Sequence, residues 1–484
     1  MRIKKISIGL TAAAIGLGLV ACVPTFSSGS TLTTAALGPL VTLSWPQATE
    51  PDDNQEVATY RVDVNGVEVA RVPAAQTSCV LTGLDPSTSY ALSVTAYDTN
   101  NEWSGDDQTN GRVAATYVTP ASGGAGAVKG CVATTDSDGD RLPDALERGT
   151  GTFVSAADPG TSATNADTDG DGVRDGDETL GTTSGLDLPG MGARAVKKDL
   201  LFEFDWFDDN AEPSVCGAHT HRPTAAMISQ VSAAYANAPV SNPNGTTGIN
   251  VIADYGQGGA FTGGNLIADA DGVIAGGVGG SDFVADKNAN FDPRRQGIFH
   301  YVLMPHRYGT NSTSSGQAEI NGNDLVVSLY CYGSTGNVAN TIVHETGHNL
   351  GLHHGGNVDT NYKPNYNSVM NYQYQFPGID TDCTVPGNGV LDYSVGARAP
   401  LNENALVETD GICNGVDIDW NANGSIDAAP VAKDINQDSS LSTLTDFNDW
   451  ANISLSSVTL GASPFQTSTE VVTEQPVPAY AQGH

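Results

Sequence analysis

The chain has 484 residues and carries 55 Asp and Glu against 21 Lys and Arg, a formal net charge of −34. So acidic a chain excludes nucleic acid as the main partner, because binding phosphates needs a basic face. The length suggests about two to four domains, and 56 Gly with 24 Pro point to loop-rich domains with flexible joints.

The N-terminus reads MRIKK, then an apolar run from Ile6 to Val20, then Ala21 and Cys22. A basic start ahead of a short apolar stretch is an export signal, too short for a confident membrane span. Leu19-Val20-Ala21-Cys22 resembles the bacterial lipobox. That resemblance implies cleavage after residues 1–21, a lipid on Cys22, and a place in the cell envelope, at the outer membrane or surface, with the lipid as the only membrane contact. An ordinary signal peptide is the competing reading. The other six cysteines, Cys79, Cys131, Cys216, Cys331, Cys383 and Cys413, suit disulfides in an exported chain. Closeness in sequence suggests Cys383–Cys413 and a shared domain suggests Cys216–Cys331, with Cys79 open to being a buried free thiol.

Residues 22–39, rich in Ser, Thr and Ala, read as a flexible tether. From 40 to 118, short alternating runs such as VTLSW, ATYRVDV and SYALSVTAY are separated by turn signals, the pattern of an all-β sandwich. The stretch resembles a fibronectin type III domain, with Trp45 at the core position of the second strand and Leu84 to Tyr90 as the Tyr corner. The resemblance leaves a spacer and a binding module both open.

Residues 119–130 read as a linker. Within 131–190 two acidic loops repeat one register: Asp136, Asp138, Asp140, Asp144 and Glu147, then Asp167, Asp169, Asp171, Asp175 and Glu178. These are positions 1, 3, 5, 9 and 12 of a loop that wraps oxygen ligands around Ca²⁺. Gly172 fills the turn position of the second loop, whereas Arg141 stands there in the first. Both resemble thrombospondin type 3 calcium repeats. A solvated acidic linker is the alternative.

From 195 to 455 the pattern becomes mixed α/β. Strands are predicted at 200–207, 249–255, 297–305 and 323–330, and helices at 223–236 and 337–349. The second helix leads into His344-Glu345-Thr346-Gly347-His348-Asn349-Leu350-Gly351-Leu352-His353-His354. His344 and His348, four residues apart, face the same side of a helix and can hold one Zn²⁺, with Glu345 placed to act on water without being a ligand. Gly351 permits a sharp turn that returns His354 as third ligand, and three protein ligands leave an open, catalytic position. His353 is out of register.

This is the metzincin form of the zinc-peptidase motif. Ser368-Val369-Met370-Asn371-Tyr372 resembles that family's Met-turn, in which Met370 is an apolar floor beneath the histidines and Tyr372 stands where some members bring a Tyr to the reaction. The resemblance implies a multidomain chain: sandwich, calcium-loop segment, then an α/β metzincin-like domain above an irregular lower half. Residues 315–320 are expected as an edge strand for an extended substrate. The loops from Asp419 and from Asp434 faintly resemble dockerin-type calcium loops, with Asx-rich turns the alternative. A closing helix is expected at 444–453 and a flexible tail at 456–484. The function expected is a lipid-anchored, calcium-stabilised zinc endopeptidase acting on protein or peptide, with cofactors Zn²⁺ and Ca²⁺. The alternative is a surface adhesion lipoprotein with a vestigial peptidase domain.

Overall fold

The computed structural model describes residues 23–456 and 471–473, apart from 52–53, 102, 104–110, 122–128, 210–216, 270–271, 310–313, 330, 332–333, 386 and 414. The lipobox with Cys22, and most of the expected tail, lie outside the described residues. The chain divides into two compact units, one reaching Gly123 and including Val128–Ala133, the other running from Thr134.

The first unit is built from β1 (Thr33–Leu37), β2 (Leu40–Ser44), β3 (Val57–Val64), β4 (Val67–Pro73), β5 (Ser78–Thr82), β6 (Ser89–Asp98), β7 (Arg112–Val118) and β8 (Gly130–Val132). They form two antiparallel sheets, ordered β1-β2-β5-β8 and β4-β3-β6-β7. Alternation drives the packing: Tyr60, Val62 and Val64 of β3 meet Tyr90, Leu92 and Val94 of β6 in one core. Trp45 lies edge-on to Tyr60 at 5.7 Å. The Tyr90 hydroxyl accepts from the Asp85 N–H at 2.9 Å and donates to the Asp85 carboxylate at 3.0 Å, closing the expected corner. Two expectations are corrected. The tether is folded: β1 pairs with β2, and Phe26 and Leu32 are buried in the core. Cys79 is no free thiol but joins Cys131, which draws β8, expected at the linker's end, into the sandwich.

In the second unit the longer helices are α1 (Asp175–Leu180), α2 (Ala225–Ala236), α3 (Ser281–Asn290) and α4 (Thr335–Asn349), beside short turns of helix at Leu188–Met191 and Pro293–Arg295. Its strands are β9 (Asp199–Trp206), β10 (Asp208–Asp209), β11 (His219–Thr220), β12 (Asn250–Asp254), β13 (Val273–Ile274), β14 (His300–Met304), β15 (Arg307–Tyr308), β16 (Gly316–Glu319), β17 (Asp324–Val327), β18 (Leu401–Asn402), β19 (Thr443–Leu444) and β20 (Val471–Thr473). The main sheet runs β12-β9-β14-β17-β16-β20. Its first four strands are parallel and β16 is antiparallel to β17. β9 is buried along its whole length, as a parallel strand covered on both faces must be.

One face, with Phe202, Phe204 and Val302, packs on α2 and α4. The other face, with Leu201, Ile252, Tyr301 and Leu303, packs on Phe283 of α3 and on Val173, Leu186, Leu188 and Met191. The acidic-loop segment therefore shares a core with the sheet, where the sequence suggested a separate module. Buried acids inside this sheet have partners: Arg295 bonds Glu203 at 2.8 Å and Asp254 at 2.5 Å, and Asp205 accepts from Tyr301 at 2.9 Å. The closing helix expected at 444–453 is absent: β19 pairs with β18 and turns follow. Cys383–Cys413 is formed as expected. Cys331 is disulfide-bonded, while Cys216 lies outside the described residues.

Candidate functional site

Helix α4 is capped by the Ser334 hydroxyl, which accepts from the Asn337 N–H at 3.2 Å. Its one-turn repeat stacks His344 and His348 with ring centroids 5.0 Å apart. The helix ends at Asn349, and Gly351 turns the chain at φ +97°. A Cβ at Gly351 would lie 2.5 Å from Asn321 Oδ1, so both angle and space select glycine. The turn brings the His354 ring to 5.4 Å from His344 and 4.9 Å from His348. One ligand nitrogen from each of the three buried rings lies within 4.8 Å of the others.

The tautomers follow from the neighbours. His344 Nδ1 is 2.7 Å from the Val369 carbonyl, and His348 Nδ1 is 2.7 Å from the Leu352 carbonyl. A carbonyl only accepts, so each Nδ1 carries the proton and each Nε2 keeps its lone pair. Two imidazoles oriented by main-chain carbonyls, with a third beside them, form a donor set that suits zinc.

Met370 is fully buried beneath this cluster. A Cβ built on Gly347 would meet its Sδ at 2.2 Å, so the helix and the turn carrying Met370 touch at a point where only glycine fits. The Tyr372 ring is buried 4.4 Å from His354 and 5.9 Å from His344. Glu345 is fully buried, and a Cβ at Gly316 of β16 would lie 2.2 Å from its Oε1. The carboxylate thus rests against the strand expected to meet substrate. Asn349 fixes that arrangement by donating to the Glu319 carbonyl at 2.9 Å and the Asp324 carbonyl at 3.1 Å. Its Oδ1 is 3.0 Å from His300, whose pKa burial lowers to about 4. His353 bonds Asp359 at 2.7 Å, away from the trio. The outer edge of β16 is paired by β20, from the tail expected to be flexible.

The two acidic loops share one hydrogen-bond pattern. Asp136 accepts from the N–H groups of Gly139 and Arg141, and Asp167 from those of Gly170 and Gly172. Asp136, Asp138 and Asp140 converge, as do Asp167, Asp169 and Asp171, and Asp140, Glu147 and Asp175 form a third group bridging the loops. Asp144 accepts from the Ser137 N–H at 2.8 Å and hydroxyl at 2.7 Å, as Asp175 does from Thr168 in the second loop. Glu178 is buried and faces Asp171, Asp169 and Asp199. Several oxygens here, including both of Asp138, Asp140 Oδ2, Glu147 Oε2 and Asp169 Oδ2, are buried and accept no hydrogen bond. Buried carboxylate oxygens without donors suit a hard cation such as Ca²⁺. Burial, then the mutual repulsion of these acids, pushes Asp140 up to about 6 and Glu147 to about 8, and for Asp175 burial, helped by the charges of Asp140 and Asp167, outweighs the hydrogen bonds from Thr168, leaving it at about 7.

Sequence spacing missed Asp199. Its N–H donates to Asp171 Oδ2 at 2.6 Å, tying the second loop to the start of β9. Several acids of the C-terminal region accept main-chain N–H groups in turns, while Asp434 Oδ1 is buried and accepts no hydrogen bond. Glu403 accepts from Ile435 and Ser442, and Glu408 from Asp427. Asp419 accepts from Gly424 at 2.7 Å. Asp446 lies elsewhere, bonded to Ser394 and Arg398.

A family model for the fibronectin type III domain matches residues 34–108, so the chain carries such a domain, as the Tyr corner suggested. No curated protein matches the chain. Among solved structures, the Clostridium perfringens spore cortex lytic enzyme SleM is 19% identical over 20% of this chain and 28% of its own, with a TM-score of 0.15. The central fibronectin-III array of RIM-binding protein is 26% identical over 19% and 35%, with a TM-score of 0.16. The sixth fibronectin type III domain of human fibronectin type III domain containing protein 3 is 20% identical over 21% and 89%, with a TM-score of 0.15. The chain thus spans about a third or less of the first two.

Proposed function

We propose that the chain is a zinc-dependent endopeptidase of metzincin type, stabilised by Ca²⁺ and held at the bacterial cell envelope by a lipid on Cys22. The observation that carries this reading is the convergence of His344, His348 and His354 beside the buried carboxylate of Glu345. The order of the main sheet and the contact between Gly347 and Met370 support it, because they account for a rigid helix and a floor beneath the rings. His344, His348 and His354 would hold the zinc; when bound, it supplies Lewis acidity toward water and the scissile carbonyl.

The chain's own residues do the rest. The Val369 and Leu352 carbonyls fix two imidazoles in the tautomer with Nε2 free of its proton. Glu345 takes a proton from water as general base and returns it to the leaving amine. The outer edge of β16, once β20 leaves it, offers main-chain groups to an extended peptide. Tyr372, packed on His354, is placed to support the transition state.

Glu345→Gln should lower peptide hydrolysis about 10²–10⁴-fold while zinc content stays that of the wild type. Full activity in that variant would end this mechanism. The fibronectin type III domain favours a second reading, binding or adhesion with a vestigial peptidase. A zinc-loaded chain that cuts nothing across a broad peptide library, with and without residues 457–484, would decide for it.

A further inference from the structure

A second imidazole cluster lies outside the zinc-peptidase motif. His219 sits on β11, His221 follows it, and His306 stands two residues beyond the end of β14. We propose that these three form a second site for a divalent transition metal, sharing no residue with the first and independent of the peptidase reading.

The placement comes from the sheet. β9 and β14 are parallel, with Trp206 opposite Met304, so their carboxyl ends lie side by side. Ligands in α/β folds gather at such ends. There the His221 N–H donates to the Phe207 carbonyl at 3.0 Å and the His306 N–H to the Gly272 carbonyl at 2.8 Å. β11 is held by pairing with β10. Two segments distant in sequence, 219–221 and the end of β14, are thus pinned by main-chain bonds with their three imidazoles around one point.

Ring centroids are 4.6 Å apart for His219 and His221, 5.4 Å for His219 and His306, and 5.3 Å for His221 and His306. These match the 4.9–5.4 Å separations in the His344, His348 and His354 cluster. The interplanar angles of 61–64° set the rings like blades rather than in a stack. One ligand nitrogen from each ring lies within 4.8 Å of the others. His221 Nε2 and His306 Nδ1 are 3.2 Å apart. Two nitrogens bound to one tetrahedral zinc at 2.0–2.1 Å would be about 3.4 Å apart. His219 Nδ1 is 2.8 Å from the Gly217 carbonyl, which leaves Nε2 as its ligand atom. Three neutral nitrogens suit Zn²⁺, and equally Co²⁺, Ni²⁺ or Cu²⁺, rather than a hard ion such as Ca²⁺. His306 is fully buried while His219 and His221 are partly exposed, so the ion has a way in and a side open to water. Its role would be to clamp β11 onto the end of β14.

The test is a metal count on the full chain, stripped and reloaded with Zn²⁺, desalted and measured by elemental analysis. The wild type should hold two zinc ions, His344→Ala one, His306→Ala one, and the double variant none. Cobalt titration of the unaltered chain should give two successive equivalents with ligand-field absorption, which keeps the proposal open to refutation if a variant fails to fold. His221→Gln should remove the same single equivalent as His306→Ala. A wild-type count of one that disappears in His344→Ala, or a His306→Ala count equal to wild type, would overturn the second site without touching the first. Loss of only the equivalent at His344 would instead leave the second site standing where the peptidase reading is tested.

Discussion

At the residue scale, two positions decide between local rules. Gly347 lies inside α4, where Ala is favoured over Gly by about 1 kcal/mol. Here the added Cβ would fall 2.2 Å from Met370 Sδ and 3.0 Å from the Tyr393 hydroxyl. Overpacking a full core costs about 1–3 kcal/mol, so the clash should win: Gly347→Ala is expected to lower the unfolding midpoint and weaken zinc retention. In a Met370→Ala background only the 3.0 Å contact with the Tyr393 hydroxyl remains, and the same substitution should cost much less. A double-mutant cycle measures this, and additive effects would rule out the contact as the cause. Arg141 is the second case. It holds φ +87°, matching the +97° of Gly172 at the same loop position. The left-handed angle costs an L-residue about 1–2 kcal/mol. The Arg141 guanidinium returns a similar amount by donating to Asp177 at 2.5 Å and to the Gly181 carbonyl at 2.7 Å, worth about 1 kcal/mol at this partial exposure. Arg141→Gly should therefore stay within about 1 kcal/mol of the wild type, while Arg141→Ala, which keeps the angle and loses both bonds, should fall about 1 kcal/mol below the wild type and about 1–2 kcal/mol below Arg141→Gly. Identical denaturation midpoints for the two variants would show that backbone strain plays no part.

At the element scale, β20 matters most for the peptidase reading. Val471, Val472 and Thr473 pair antiparallel with Glu319, Ala318 and Gln317, the other edge of β16 is paired by β17, and Glu345 lies against Gly316 at the start of the strand. A strand edge accepts one partner at a time. Three residues of pairing, at about 0.5–1.5 kcal/mol per hydrogen bond and offset by ordering, form a weak and displaceable plug. Removing 457–484 should lower KM for extended peptides several-fold with little change in kcat. Equal KM in the two chains would show that substrate does not use this edge. The elements themselves were unequally legible in the sequence. α4 and β9 could be read because apolar spacing and a continuous buried run are local signals. β1 could not, since TTAAL carries no bulky alternation and its anchors Phe26 and Leu32 stand among Ser and Thr. The closing helix failed because its polar side chains serve the backbone instead. Asp446 accepts from Phe447 and Arg398, Asn448 from Ala451, and Asp449 from Ser394, the competition that keeps Asp and Asn out of helices. The His344, His348 and His354 set was visible because it occupies one helix and its turn. Asp199 and the trio of His219, His221 and His306 were not, because only the sheet brings them together.

At the scale of the second unit, the acidic loops and the main sheet share one core, so calcium bound in the loops should act on both. Val173, Leu188 and Met191 share a core with Leu201 and Tyr301, and Asp171 holds the first residue of β9. Buried without a cation, the loop carboxylates oppose folding. Burial first, then in most cases their mutual charge, raises Asp140 to about 6, Glu147 to about 8 and Asp175 to about 7, and lifts Asp169, Asp171 and Glu178 as well. A carboxyl whose folded pKa exceeds its unfolded value binds protons more tightly when folded. Its contribution to stability is full below the unfolded pKa, about 4, and is lost as pH rises through the folded one. The calcium-free chain should therefore lose stability steadily from pH 5 to pH 8. Glu203 and Asp449, raised mainly by burial to about 8 and about 7, contribute the same slope but lie outside the loops, so the informative quantity is a difference. Chain reloaded with zinc alone should melt at progressively lower temperature across that range, and chain with zinc and calcium should lose much less. The calcium-induced rise in Tm should thus grow from pH 5 to pH 8, as bound cation replaces the protons the loops would otherwise take up. A rise that is constant with pH would mean that calcium binds elsewhere. A rise seen in melting but accompanied by unchanged hydrogen-exchange protection along β9 would mean that the loops are not coupled to the sheet through Asp199.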